Sequence, residues 1–272
     1  MNCQGRSVAP SWVGSLHTRA ERLISSWRAL WRLWRALSHM LAGLLTILIL
    51  FPRLSPQQKE IRVQVWSLEM LARVGIRLAV KGQPGPQGPL LLVANHISWV
   101  DITALHAARF CRFVSKADVR AWPIIGALAS GIGTLFIQRE SRRDAMRVVH
   151  HMTQSLRAGD VLAIFPEGTT SDGERLLPFH GNLLQAAIAA DAPVQPVALQ
   201  FVDTHSGQRS LAPCYVGDDT LVVSVWRTLR ASGITVQIIF GVPQSANGRD
   251  RRVWAADLQK EIEQMRELSA TH

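Results

Sequence analysis

Residues 95–101 read Asn-His-Ile-Ser-Trp-Val-Asp, so an imidazole, a hydroxyl and a carboxylate fall within one short stretch that directly follows the apolar run 90–94. A histidine with a carboxylate in reach is the pairing that makes a general base. One ring nitrogen takes the proton, while the carboxylate holds the N–H of the other and stabilises the cation that forms. On a straight helix the step from His96 to Asp101 turns the side chains about 140° apart. They meet only where His96 lies in a loop and Asp101 in the first turn of the next helix. A second reading stays open, because Ser98-x-x-Asp101 also has the spacing of a helix capping box.

Three further stretches carry candidate chemistry. The run 133–140, GTLFIQRE, ends an expected strand in Arg139, which is either a ligand for an anion or a solvated charge. The run 163–174, AIFPEGTTSDGE, ends a buried strand in Pro166-Glu167-Gly168 and follows it with the hydroxyls of Thr169, Thr170 and Ser171. Gly168 permits close backbone approach, and amides beside hydroxyls can cradle an anion. The bland alternative is a plain strand–turn connection. Pro193 and Pro196 then punctuate an apolar strand in the manner of an edge or a strand start.

The elements that must position these groups alternate. Strands are expected at 90–94, 111–115, 134–138, 161–165, 194–201, 221–225 and 234–240, and helices at 57–80, 101–109, 123–131, 141–157, 182–190 and 250–267. Several strands are apolar on both parities, as when both faces of a sheet are covered. The expected fold class is therefore α/β, with a largely parallel central sheet flanked by helices. Ligands of such sheets bind at the carboxyl ends of the strands, which is where His96, Arg139 and Glu167 fall.

The chain has 272 residues, 47% hydrophobic and 18% charged, which suits a packed globule and excludes disorder. A net charge of +10 calls for an anionic partner. Residues 1–35 hold six Arg, no Lys and the single acid Glu21, a net +5 of that +10. Trp27, Trp31 and Trp34 share one helix face, with Arg28, Arg32 and Arg35 beside it. Indoles at headgroup level with Arg reaching for phosphates mark an interfacial membrane helix. An ordinary amphipathic helix packed on the core is the alternative. The uncharged run 36–51 follows, about 24 Å of helix, either crossing the bilayer with help from the Trp-rich turns or entering one leaflet. The expected organisation is a membrane anchor over 1–55 and a catalytic domain over 56–272, at the cell inner membrane with the active site facing the cytoplasm. Nothing resembles a nucleic-acid motif, so no nucleic-acid partner is expected. Cys3, Cys111 and Cys214 show neither a disulfide framework nor a metal pattern. No metal or other cofactor is expected.

Taken together and in order, Asn95-His96-(x)4-Asp101, Gly133…Phe136-Ile137-x-Arg139, Phe165-Pro166-Glu167-Gly168-Thr169 and Pro193-Val194-x-Pro196 resemble the four blocks of the glycerolipid acyltransferases, of the bacterial 1-acyl-glycerol-3-phosphate acyltransferase type. The resemblance covers residues 60–205 and includes Lys116 and Pro123-x-x-Gly126 between the first two blocks. It implies transfer of a fatty acyl group from an acyl carrier protein or coenzyme A thioester to the free hydroxyl of a membrane lysolipid. His96 would be the base and Asp101 its orienting partner, with no acyl-enzyme. Lys116 and Arg139 would hold the acceptor's phosphate in a pocket shaped by Gly133, Glu167, Gly168 and Thr169, and backbone amides near the first block would steady the oxyanion. One departure stands out: His180 occupies a position where many members carry a lysine. That leaves lysolipids without a phosphate, such as lyso-ornithine lipid, open as acceptors.

Overall fold

The computed structural model describes residues 24–85, 87–137, 142–217 and 219–270. Two helices lead, α1 (Ser26–Ile49) and α2 (Pro56–Val74), followed by β1 (Ile76–Lys81), β2 (Leu90–Ala94), α3 (Val100–Ala108), β3 (Arg112–Lys116), α4 (Ile125–Gly131) and β4 (Leu135–Ile137). The chain continues through α5 (Arg142–Arg157), β5 (Val161–Ile164), α6 (Leu184–Ala190), β6 (Val194–Asp203), α7 (Leu221–Arg230), β7 (Ile234–Phe240) and α8 (Arg251–Ala270). The strands make one sheet in the order β1-β7-β6-β2-β5-β3-β4. From β6 to β4 all neighbours are parallel, β7 runs antiparallel to β6, and β1 is parallel to β7.

Strand β2 is buried on both parities because apolar layers cover both faces of the sheet. Leu90, Leu92 and Ala94 pack with Met70 and Leu71 of α2, Leu105 of α3 and Leu229 of α7. Leu91 and Val93 pack on the other face with Met152 and Leu156 of α5, Leu184 of α6 and Trp254 and Leu258 of α8. The α/β sheet expected from alternation is the one found.

Two elements differ from expectation. The helical period through 57–80 breaks at Gly75, which caps α2 in the left-handed conformation (φ 87°). The alternating Ile76, Leu78 and Val80 then form β1. The β-branched run 221–225 is helical, because Thr220 caps α7 by accepting from the Val223 amide at 3.3 Å. The hydroxyls of Ser224 and Thr228 find acceptors at Cys214 O (3.0 Å) and Ala212 O (3.3 Å). Strand propensity yields to tertiary hydrogen bonds.

Helix α1 lies along the domain. Its guanidinium at Arg32 donates to Leu229 O (2.9 Å) and Ala231 O (2.6 Å), satisfying carbonyls at the end of α7. This corrects the expectation for Arg32, which serves the protein and not a lipid phosphate. Farther along, His39 and Trp66 of α2 stack at 5.0 Å, the indole donates to His39 O (3.1 Å), and His39 Nε2 lies 2.9 Å from Trp66 O. Gly43 is needed there, since a Cβ would stand 2.5 Å from the Trp66 Nε1. Helix α1 thus buries Ala29, Ala36, His39 and Gly43, and turns Trp27, Trp31, Trp34, Leu41, Leu45 and Leu48 outward.

One buried titratable group is left to the core. His106 of α3 sits between Phe110 and the edge of Phe113, with neither ring nitrogen hydrogen-bonded. Burial pulls its pKa down to about 4. The unfolded chain therefore takes up a proton that the folded chain refuses. Stability is full above the ordinary histidine range and is lost as pH falls toward 4, by about 3 kcal/mol at 1.36 kcal/mol per pKa unit. Replacing His106 by Phe should flatten this dependence. Thermal unfolding of the detergent-solubilised proteins between neutral and acidic pH checks it; parallel loss in wild type and variant would show that the acid sensitivity lies elsewhere.

Candidate active site

Strand β2 ends at Ala94, and Asn95 extends it by side chain. The Asn95 Nδ2 donates to Leu199 O (3.0 Å) while its Oδ1 accepts from Leu199 N (2.7 Å), so the next residue leaves the sheet in a fixed direction. That residue is His96. Its ring lies flat on Phe165, with centroids 4.0 Å apart and 7° between planes, and its Nδ1 is 2.8 Å from Asp101 Oδ2. Asp101 sits in the first turn of α3, fully buried. The same Oδ2 accepts from the amides of Ile97 (2.6 Å) and Ser98 (2.8 Å).

The geometry pairs Asp101 with His96 and makes only the acidic half of the capping box. The Ser98 hydroxyl is turned to Pro213 O, and the Asp101 amide donates to the Ser98 carbonyl. The carboxylate closes the turn as the acidic half of a cap would, and with the same atom it holds the imidazole. A donating Nδ1–H leaves Nε2, in a side chain 19% exposed, as the basic nitrogen.

A second carboxylate braces the loop from behind. Glu167 Oε1 accepts from the His96 amide (2.7 Å) and Oε2 from the Leu177 amide (2.9 Å). Burial raises its pKa, against the pull of those two amides and of His96. Its oxygens thus meet backbone, where the resemblance implies a contact with acceptor. Gly168 follows at φ 74°, where a side chain is strained. Ser171 N and Oγ both donate to His96 O, at 2.9 and 3.2 Å. Thr170 Oγ1 donates to Tyr215 O, and Thr169 alone of the three hydroxyl residues is exposed.

The amides of residues 96, 97, 98, 100 and 101 all have partners. These five amides are therefore engaged within the protein and are not among the free donors expected near the first block.

Lys116 ends β3 at the same sheet edge, exposed, two strands from β2 and so about 10 Å away at ordinary strand spacing. Gly133 is not brought to the site. It precedes β4 at the amino edge, where its carbonyl accepts from Arg112 Nε (2.8 Å) and where a Cβ would stand 2.9 Å from that nitrogen. Its requirement is structural: Arg112 also pairs with Asp160. Arg139 lies outside the described residues.

Sequence reasoning missed the loop 210–219. Ser98 Oγ donates to Pro213 O, Tyr215 N donates to Ile97 O (3.2 Å), and the Cys214 thiol donates to Asp172 O (3.4 Å). Arg266 of α8 likewise reaches Gly173 O. The Ser98–Pro213 and Arg266–Gly173 contacts span 115 and 93 residues of chain and the Cys214–Asp172 contact spans 42, and no local period signals them.

Chemically, the arrangement can draw a proton from an incoming hydroxyl. Ser98 Oγ is turned to backbone, Ser171 Oγ likewise, and burial pushes the Cys214 thiol up to about 12, so none of these is an activated nucleophile beside the ring. Among the described residues this arrangement, with none of the three groups an activated nucleophile beside His96, suits an attacking oxygen brought by the substrate.

Comparison with known proteins agrees. The protein-family model Acyltransferase matches residues 62–200. The chain is 39% identical over 197 residues to a lyso-ornithine lipid O-acyltransferase of Pseudomonas aeruginosa, covering 72% of this chain and 75% of the relative. It is 38% identical over 185 residues to a 1-acyl-sn-glycerol-3-phosphate acyltransferase of Neisseria meningitidis, covering 67% and 71%. The crystal structure of the 1-acyl-sn-glycerophosphate (LPA) acyltransferase PlsC from Thermotoga maritima shares the fold, with a TM-score of 0.59 over 86% of this chain and 98% of that one, at 18% identity. The chain belongs to the acyltransferase family and is an O-acyltransferase.

Two predictions follow from the geometry. His96→Ala should lower turnover roughly 10²–10⁴-fold. Asp101→Asn should lower it similarly while melting close to wild type, because a carboxamide oxygen can accept the same amides without the charge. Asp101→Ala should also melt earlier, by about 1–3 kcal/mol for each amide left unpaired. An active Asp101→Asn enzyme would reduce the carboxylate to a cap. Glu167 makes the second prediction. Its raised pKa means the ionised form is worse in the fold than in water, so stability falls as pH rises through the window just above the ordinary glutamate range. In Glu167→Gln that slope should vanish, and turnover should drop because the amide nitrogen opposes the Leu177 N–H. Melting curves across pH 4–7, with kcat alongside, measure both.

Proposed function

We propose that the protein transfers a fatty acyl group from an acyl carrier protein or coenzyme A thioester to the free hydroxyl of 1-acyl-glycerol-3-phosphate, giving phosphatidic acid. The observation that carries this reading is the His96–Asp101 pair at the carboxyl edge of β2, with Ser98, Ser171 and Cys214 beside it all turned to other partners. In this reading His96 Nε2 takes the hydroxyl proton as the oxygen attacks the thioester carbonyl. Asp101 holds the ring through Nδ1 and stabilises the imidazolium. The tetrahedral adduct collapses, the C–S bond breaks, and the departing thiolate takes the proton back from Nε2. Glu167 sets the aim of the base by fixing the His96 backbone. Lys116, at the end of β3, and Arg139 hold the phosphate. Gly168 and the exposed Thr169 border the same pocket.

We assign residues 1–55 to membrane attachment at the cell inner membrane, with the active site facing the cytoplasm. Helix α1 is long and apolar enough to cross a bilayer. Its contacts with α7, α2 and α4 hold it along the domain, which favours one leaflet over a perpendicular span: Ile47 abuts Gly131 of α4 at the far end from Arg32.

A second acceptor, lyso-ornithine lipid, is favoured by His180 and by the name of the Pseudomonas relative. Assaying both acceptors on wild type, Arg139→Lys and Arg139→Ala separates the two. A phosphate grip by a planar guanidinium contributes about 1.5–3 kcal/mol. The KM for 1-acyl-glycerol-3-phosphate should therefore rise roughly 10–100-fold in Arg139→Ala and less in Arg139→Lys, with donor use unchanged. If wild type prefers lyso-ornithine lipid and Arg139→Ala acylates it equally well, the phosphate acceptor is wrong.

A further inference from the structure

Helix α7 buries Leu229 and rests Val225 and Trp226 on the core, but elsewhere it turns valines outward and hydroxyls inward. Its hydroxyl residues Ser224 and Thr228 are fully buried, while Val222 and Val223 are 76% and 52% exposed and Trp226 lies one turn on, half-buried. A surface helix in water does the opposite, with valines to the core and hydroxyls to solvent. Helix α1 shows the same inversion, with alanine, glycine and histidine inward and tryptophan and leucine outward. The two are joined where they meet. Ile24 N donates to Arg230 O (2.8 Å) just before α1 begins, and Arg32 caps the end of α7.

We infer that α7 is a second membrane-contacting element, lying at the headgroup level of the leaflet that receives α1. The inference rests on the membrane reading of α1 but makes a separate claim about Val222, Val223 and Trp226. A bilayer is the occupant because both helices turn apolar residues outward and are hydrogen-bonded to each other at the end of α7, so a single lipid surface can meet both. Charge agrees: Arg227 and Arg230 border the valine face, and Arg28 and Arg35 lie on α1. Amphipathic helices that seat in anionic membranes combine such a face with basic residues beside it. The placement has a consequence for the site. The chain entering α7 is the loop that binds Ile97, Ser98 and Thr170 through Pro213 and Tyr215, and Arg227 braces it through Asp219 (2.8 Å) and Cys214 O. Seating α7 on lipid brings that wall of the site to the membrane surface.

The test uses the full-length chain with Cys3→Ser, since Cys111 and Cys214 are buried. Single cysteines are placed by Val223→Cys on α7, Leu45→Cys on α1 and Ala256→Cys on α8, which covers the opposite sheet face, and each carries an environment-sensitive fluorophore. In vesicles of phosphatidylethanolamine and phosphatidylglycerol with acyl-chain nitroxide lipids, the labels at 223 and 45 should shift to the blue and be quenched, and that at 256 should do neither. Quenching at 45 without quenching at 223 overturns the α7 inference and leaves α1 in the membrane. Quenching at neither overturns both. A blue shift at 223 that tracks protein concentration, without nitroxide quenching, assigns the face to a second copy and also overturns the inference. Val222→Cys repeats the measurement should Val223→Cys fold poorly.

Discussion

A single oxygen, Asp101 Oδ2, holds the active site together. It lies in a fully buried carboxylate and accepts from the His96 ring and from the amides of Ile97 and Ser98, at 2.6–2.8 Å. A buried charge without partners is costly, so the chain must bring donors to it. The donors it brings are the turn itself and the His96 imidazole. The aim of the base is thus coupled to the formation of the turn. A rotated ring would leave the carboxylate short of a donor, and an opened turn would leave it short of two. Glu167 and Ser171 extend the constraint by gripping the His96 backbone at its N–H and its carbonyl, and the Asn95 side chain ties the same stretch to the Leu199 backbone of β6.

Much of this was legible in the residues, for identifiable reasons. Strand β2 and the strands beside it announce themselves because doubly covered strands are short, apolar runs with polar exits. Where a cap or a breaker decided the outcome, reading by period failed: Gly75 divides what looks like one helix, and Thr220 turns a valine-rich strand signal into α7. In the site, His96 and Asp101 are five residues apart and were visible as a pair. The role of Glu167 was not, because its two partners, at residues 96 and 177, are set by strand order and loop return. Loop 210–219 was invisible for the same reason.

Gly133 teaches a related distinction. It belongs to a motif with Arg139, yet stands at the amino edge of the sheet, away from His96. A left-handed φ of 83° and the approach of Arg112 account for it fully. A motif glycine ahead of a parallel strand can thus be held by the fold alone. Spacing along a strand of three residues, Leu135–Ile137, cannot say which end is which; the direction of neighbouring strands does.

The inverted helices fix the remaining boundary condition, the medium on the far side of α1 and α7. Moving a lysolipid wholly into water would expose its chain at about 0.8 kcal/mol per methylene, or on the order of 10 kcal/mol for a dozen carbons. No plausible set of headgroup contacts from Lys116 and Arg139 offsets that, at about 1.5–3 kcal/mol each. In the proposed reaction the acceptor therefore keeps its tail in lipid and presents its hydroxyl at the surface. In that reaction the site comes to the bilayer, and the outward apolar residues Trp27 and Trp34 on one helix and Val222 and Val223 on another belong to helices on the side of the sheet whose core also holds Ile97 and Val100 beside the His96–Asp101 turn.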